Sequence, residues 1–257
     1  MRDATTASVL ASVRRLEAVA FRAWPAEQAI YDGSWLIRLA KGHPSKRLNS
    51  LNPLDPGDRR DIAGRLARAA ERFAAIGRPL TVRLTPLAPP ELHAHLEGEG
   101  WERFDESIVM SADLAQAATD GIDQLPLRDT RRFVEARLAI SGEPDSLCEA
   151  LVSILDSIRP ETGLFLLQSG ERPTAVTLGV LDGGLIGLEQ VAVAQDLRGQ
   201  GLGTAVVQAA LRWGQLHGAR QGWLAVGADN APACALYRKL GFAEVYRYAY
   251  YRERKRP

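Results

Sequence analysis

The chain is poor in cysteine and histidine. Its two cysteines, Cys148 and Cys234, stand 86 residues apart. Two thiols at that distance build no disulfide framework and no Cys-x-x-Cys metal pair, so a reducing compartment is the expected setting. The four histidines include His93 and His95, whose i, i+2 spacing turns them to different faces of a helix. They read as exposed surface residues, and no metal site is expected. No run reaches the roughly 20 apolar residues that cross a bilayer. Met1 to Leu10 lacks the apolar core of a signal peptide, so the expectation is a cytoplasmic protein without a membrane partner. Charge of either sign is also lacking in excess: 32 Lys and Arg face 31 Asp and Glu, for a net charge of +1. A balanced chain has no global field for nucleic acid, and none is expected as a partner.

What is present is ordinary globular composition, 46% hydrophobic and 25% charged over 257 residues. That excludes a disordered or collagen-like chain and allows one large domain or two small ones. Apolar periodicity predicts helices over Ser8–Phe21 and Asp58–Ile76, and strands over Trp35–Leu39, Lys46–Leu54 and Leu80–Leu84. A short helix follows at Pro89–Leu96, then a strand from Gly100-Trp101 to Met110. The small, polar stretch Ala115–Gln124 reads as a linker between a unit of residues 1–114 and one of 125–257. Beyond it, helices are predicted over Thr130–Ile140 and Asp145–Ile158, the latter capped by Asp145. Strands over Leu164–Gln168 and Thr174–Leu181 precede a hairpin at Asp182-Gly183-Gly184, with Leu185–Val193 returning. Helix Gly203–Gly218, strand Trp223–Val226, helix Pro232–Leu240 and strand Phe242–Tyr251 complete the chain.

The two halves repeat one order of elements. Gly77 to Gly100 and Gly218 to Gly241 both span 23 residues, and an aromatic, Trp101 or Phe242, follows each second glycine. This gives a constant offset of 141. The fold class expected is α/β with a mixed sheet, in two tandem units. The halves differ at Arg198-Gly199-Gln200-Gly201-Leu202-Gly203-Thr204, a glycine loop between strand and helix. At the offset, Arg60 and Ile62 stand in place of Gly201 and Gly203, and Leu96 in place of Tyr237. Such a loop is an anion site: first-turn N–H groups lack intrahelical partners, the helix dipole adds positive charge, and glycine lets a ligand approach the backbone. The Gly-Lys-Ser/Thr of nucleotide hydrolases is absent. Spacing and position also depart from the dinucleotide fingerprint, which leaves a nicotinamide-dependent dehydrogenase a distant alternative.

Arg198, Gly201 and Gly203 match Gln/Arg-x-x-Gly-x-Gly/Ala, and Asn230 to Phe242 matches Asn-x-x-Ala-x-x-Leu-Tyr-x-x-x-Gly-Phe. With both motifs in order, residues 190–242 resemble the core of the GCN5-related N-acetyltransferase (GNAT) superfamily. The first half then resembles a degenerate copy without loop or acid.

The resemblance implies acetyl-CoA as donor and transfer of its acetyl group to a primary amine, here expected on a small molecule. It implies that the backbone of Val191 and Val193 binds the pantetheine and thioester. Arg198, Gly199, Gln200, Gly201, Leu202, Gly203 and Thr204 hold the pyrophosphate, and Asn230 touches the pantetheine arm. Tyr237 is the candidate general acid, since a phenol with pKa ~10 suits protonation of a leaving thiolate. Glu189 is the candidate base, directly or through water; two residues before Val191, it is expected on the same strand face. Tyr246, Tyr248 and Tyr250 share one face of the last strand, as an acceptor wall or a packed sheet face. Cys234 reads as a packing residue, and Arg252 to Arg256 as a solvated tail. The alternative function is an acyl-CoA-binding sensor or scaffold without turnover. The oligomeric expectation is a monomer or a homodimer.

Overall fold

The computed structural model describes residues 2–116 and 124–254, with side chains from residue 8 onward. Most of the proposed linker, residues 117–123, lies outside the described residues. The first half runs α1 (Arg2–Ala23), β1 (Gln28–Asp32), β2 (Trp35–Leu39), β3 (Ser50–Pro53), α2 (Ile62–Ala75), β4 (Thr81–Leu84), α3 (Pro90–Gly98) and β5 (Glu102–Asp113). The second runs α4 (Thr130–Ser141), α5 (Cys148–Asp156), β6 (Glu161–Ser169), β7 (Arg172–Asp182), β8 (Leu185–Val193), α6 (Leu202–Leu216), β9 (Gln221–Gly227), α7 (Ala231–Lys239) and β10 (Ala243–Arg252). No helix among the described residues is long and apolar enough to cross a membrane.

All ten strands form one mixed sheet, in the order β1-β2-β3-β4-β10-β5-β9-β8-β7-β6. Among the described residues, only β3–β4 and β8–β9 are parallel pairs. The last strand of each half has crossed to the other: β10 pairs with β4, β5 pairs with β9, and the two lie antiparallel at the centre. Each exchanged strand has its ladder bonds satisfied on both sides by strands of the other half, so the halves cannot part without opening three ladders. Helices α2, α3, α6 and α7 cover one face. Their cores centre on Trp35, Phe73 and Leu92, and on Phe165, Leu188 and Val206. Helices α1, α4 and α5 cover the other, over a core that includes Trp24, Trp223, Tyr246, Tyr248 and Tyr250. The three tyrosines do share a face, and all are buried.

Several boundaries differ from the expected ones. The expected strand Lys46–Leu54 forms only over Ser50–Pro53. Before it, Leu48 and Asn49 donate their N–H groups back to Ser45 and Lys46, making turns. The helix expected from Asp58 starts at Ile62, because Asp58 is turned away: its carboxylate accepts from Ser34 N–H and Oγ and ion-pairs with Arg65. Asp145 caps no helix; it opens a 3-10 turn that precedes α5. Strand β1 carries no expected pattern and is mostly exposed; it exists through its ladder to β2 across the Gly33-Ser34 turn.

The halves also match at a finer register. Trp35 pairs with Pro53 as Ala175 pairs with Val193, which gives an offset of 140. The residues preceding α2 and α6, Asp61 and Gly201, keep 140; Gly77 and Gly218 give 141. The slip lies inside the helix, 14 residues in α2 and 15 in α6. The single offset of 141 is thereby corrected: Asp58 matches Arg198 and Asp61 matches Gly201.

Candidate active site

The site starts from an irregularity in β8. Glu189 faces Leu178 on β7, while Ala192 faces Val176, so three steps on β8 meet two on β7. Gln190 carries the extra residue, with φ of 54°, a left-handed backbone uncommon outside glycine. The bulge reverses the alternation. Val191 and Val193 pack on the side of α6, while Glu189 lies on the opposite face with the core under α1. The expectation that Glu189 and Val191 share a face is thus overturned. On its other edge β8 pairs with β9 only from Leu185 to Leu188. Past Leu188 the parallel strands part, and the backbone of Val191 and Val193 has no strand partner on that side.

The glycine loop follows directly. A 3-10 turn over Gln195–Leu197 leads to Arg198, whose Nε donates to Val193 O at 3.4 Å. Gly199 and Gly201 sit at φ of 79° and 85°, and a Cβ on either would meet nothing within 4 Å. Left-handed backbone therefore explains these glycines, and the space above them is open. Gly201 offers no side-chain cap, and the first intrahelical bond of α6 runs from Ala205 N to Gly201 O. The N–H groups of Leu202, Gly203 and Thr204 lack helical partners. Gly203 has a different reason: a Cβ there would stand 3.0 Å from Leu236 and 3.4 Å from Val193, so it lets α6 close on α7 and β8.

In the first half the same place is filled by acid. Asp61 adopts the left-handed conformation of Gly201, with φ of 49°. Asp58 is buried, and the Arg65 guanidinium holds its carboxyl well below the usual range. Both carboxylates are held by arginines, Asp58 by Arg65 and Asp61 by Arg68, each at 2.9 Å, and Asp61 puts a side chain where Gly201 leaves the backbone open.

Asn230 opens α7. Its Oδ1 accepts from Ala233 N–H at 3.2 Å, a helix cap that leaves its amide donors for another partner. Cys234 is buried, its Sγ 3.7 Å from Gly227 O. Tyr237 is 6% exposed and meets Phe242 edge-on, with ring centroids 6.0 Å apart. Burial pushes its phenol up to about 12, and the charges of Glu189 and Cys234 add to the effect. Glu189 and Tyr237 therefore share an electrostatic environment from opposite faces of the sheet, across the parting of β8 and β9.

Glu189 is only 3% exposed. Both its oxygens accept from Nη1 of Arg47, at 2.9 and 2.6 Å. Arg47 comes from the other half, 142 residues away, and its guanidinium lies over Trp24. Sequence reasoning missed Arg47, for no local pattern announces a partner supplied by the loop before β3. A cleft of about 430 Å³ lined by His93, Arg103, Arg247 and Tyr251 belongs to the first half, against α3. Its polar groups already pair, Tyr251 with His93 at 3.0 Å and Arg247 with Glu244 at 2.8 Å. The site is marked by backbone geometry rather than by this surface cleft.

Known proteins are similar to this chain over nearly its whole length. The family described as "Probable histone acetyltransferase Rv0428c C-terminal" matches residues 10–251. The Bacillus subtilis protein described as "Uncharacterized N-acetyltransferase YobR" is 27% identical over 252 residues, covering 93% of this chain and 97% of its own. A GCN5-related N-acetyltransferase from Kribbella flavida has the same fold, with a TM-score of 0.68 at 19% identity over 96% of both chains. A tandem GNAT protein from the clavulanic acid biosynthesis pathway gives a TM-score of 0.58 at 19% identity, covering 91% of this chain and 86% of that one. With nearly its whole length matched, the chain belongs to the Rv0428c C-terminal acetyltransferase family, and is an N-acetyltransferase of the GNAT superfamily.

Proposed function

We propose that the protein moves an acetyl group from acetyl-CoA to a primary amine of a small molecule, at one active site in the second half. The observation that carries the reading is the loop from Arg198 to Thr204. Its glycines clear a path to three uncapped N–H groups, beside two parallel strands that part. These residues fit a pyrophosphate: Arg198 adds a full positive charge and Thr204 a hydroxyl. Gln200 completes the loop. The backbone of Val191 and Val193 would hold the pantetheine arm, with Asn230 on the far side. Bound acetyl-CoA supplies the activated acetyl thioester.

The chain's own groups then manage two protons. As the C–N bond forms and the C–S bond breaks, Tyr237 gives its phenolic proton to the departing sulfur. Glu189, directly or through a water, takes a proton from the amine and releases it to solvent, from which Tyr237 is recharged. A phenol near 12 keeps its proton across the working range of pH. The first half is a degenerate copy under this reading, with units at 1–114 and 125–257. Asp58 and Asp61 argue against a second site there, and the exchanged strands favour a monomer. The unpaired Cys148 and Cys234 fit a reducing, cytoplasmic setting.

Purified protein given acetyl-CoA and an amine panel should release free thiol, and Tyr237→Phe should slow release roughly a hundredfold or more. Full activity in Tyr237→Phe would remove its assigned role. Tight acetyl-CoA binding with no release on any amine would instead mark an acyl-CoA sensor.

A further inference from the structure

On the sheet face away from α6 and α7, beneath α1, lies a cavity of about 20 Å³. Three guanidinium groups reach it from three elements: Arg38 on β2, Arg83 on β4, and Arg47 ahead of β3. Two have carboxylate partners. Arg83 holds Glu17 of α1 at 2.5 and 2.8 Å, and Arg47 holds Glu189. Arg38 has none among the described residues. It is 4% exposed and donates only to main-chain oxygens, of Arg47 at 2.7 Å and of Trp24. Two of its five N–H donors are thus accounted for.

The cluster therefore holds three cations against two anions. Aromatic faces soften the excess, with Phe21 under Arg38 at 4.7 Å and Tyr248 under Arg83 at 3.7 Å, but a ring is not a counter-ion. Burial, then the charges of Arg83 and Arg47, push the Arg38 guanidinium down to about 9. A buried cation without a partner is costly, and proteins rarely keep one without use. Two further donors on residues that line the cavity, Arg83 Nε and Trp24 Nε1, are buried with no hydrogen-bond partner among the described residues. The place is also significant. Glu189 belongs to this face of β8, at the point where β8 and β9 part, and the Arg47 side chain, 31% exposed, forms the solvent side.

We propose that this cavity is the acceptor pocket and that the acceptor is a small amine bearing one carboxylate, an amino acid or a close analogue. The inference rests on the acetyl transfer proposed above. The acceptor's carboxylate takes Arg38, the Arg47 side chain swings outward to admit it, and Glu189 is thereby released to receive the amine's proton. One surplus cation calls for a monoanion: a phosphate dianion overshoots, and a lysine-rich tail adds charge of the wrong sign. A cavity of this size holds about one water. Room for an acceptor therefore comes from outward movement of the partly exposed Arg47 side chain, the same movement that frees Glu189.

The test compares each common amino acid with its carboxamide as acceptor, alongside a lysine-rich peptide. The carboxylate form should be preferred in kcat/KM by roughly tenfold to a hundredfold. Arg38→Gln should bring that ratio close to one, and Arg38→Lys should restore part of it. Because Arg38 also holds two carbonyls, the variants are checked for folding by circular dichroism; if Arg38→Gln does not fold, the wild-type ratio decides. A second readout needs no turnover: N-acetylamino acids should raise the melting temperature of the wild-type protein, and their carboxamides should not. Equal use of both forms, or preference for the lysine-rich peptide, overturns the inference and leaves acetyl transfer standing. If no amine is acetylated, the proposed activity falls, and melting without carboxylate dependence still refutes the pocket by itself.

Discussion

Glu17 fastens α1 to the sheet, and removing it tests how the buried charges are balanced. Its side chain is 2% exposed, accepts from both Nη atoms of Arg83, and receives the Tyr246 hydroxyl at 2.5 Å. Burial works against the Arg83 charge, but the Glu17 carboxylate outweighs it and holds the guanidinium well above its ordinary value. Glu17→Leu leaves Arg83 buried without a counter-ion and Tyr246 without an acceptor, a loss of about 3–5 kcal/mol. At roughly 2.1 cal/mol/K per residue, the melting entropy of 257 residues is about 0.54 kcal/mol/K, so the melting temperature should fall by about 6–9 °C. The double variant Glu17→Leu/Arg83→Met removes both charges and fills the space with apolar groups. It should recover at least half of the loss, because an apolar replacement of a buried pair is often neutral or better. Thermal melts followed by circular dichroism supply all three numbers. A single variant within about 2 °C of wild type, or a double variant no better than the single, would refute the idea that this pair is a coupled unit.

Three further outcomes are expected. Gly201→Ala places a Cβ in left-handed backbone, which costs about 1–2 kcal/mol; calorimetry should show weaker CoA binding, and unchanged affinity would dissociate the loop from the ligand. Arg198→Ala should weaken CoA binding several-fold and reduce its salt sensitivity, measured by titration at two ionic strengths; equal sensitivity in both proteins would remove Arg198 from the phosphate site. Since burial first, and then Glu189, push the Tyr237 phenol up to about 12, kcat should show no falling limb below pH 10 that Tyr237→Phe abolishes. The sign for stability follows from the same shift. The folded-state value lies above the ordinary 10.0, so the contribution is complete below pH 10 and is lost as pH rises towards 12. Alkaline melts of Tyr237→Phe should therefore fall less steeply than those of wild type over that range.

Short-range features were legible in the chain itself. Gly199 and Gly201 mark left-handed turns, alternation along 246–250 puts three tyrosines on one face, and the motif pair Arg198–Gly203 and Asn230–Phe242 identifies the loop's owner. Each such signal is a preference of a few neighbouring residues for one backbone shape. Folding decided what those preferences leave open. The exchange of β5 and β10 depends on which edge offers free ladder groups once both halves are present. The bulge at Gln190, invisible to strict alternation, sent Glu189 to the face opposite Val191. The partners of the buried charges came from far away: Arg47 across 142 residues for Glu189, and Glu17 across 229 for Tyr246. A side chain's local sequence states its chemistry, but a buried charge must find a counter-ion among whatever the packed elements bring near. That choice belongs to the tertiary structure, and here it set Glu189 against Arg47 rather than in open solvent.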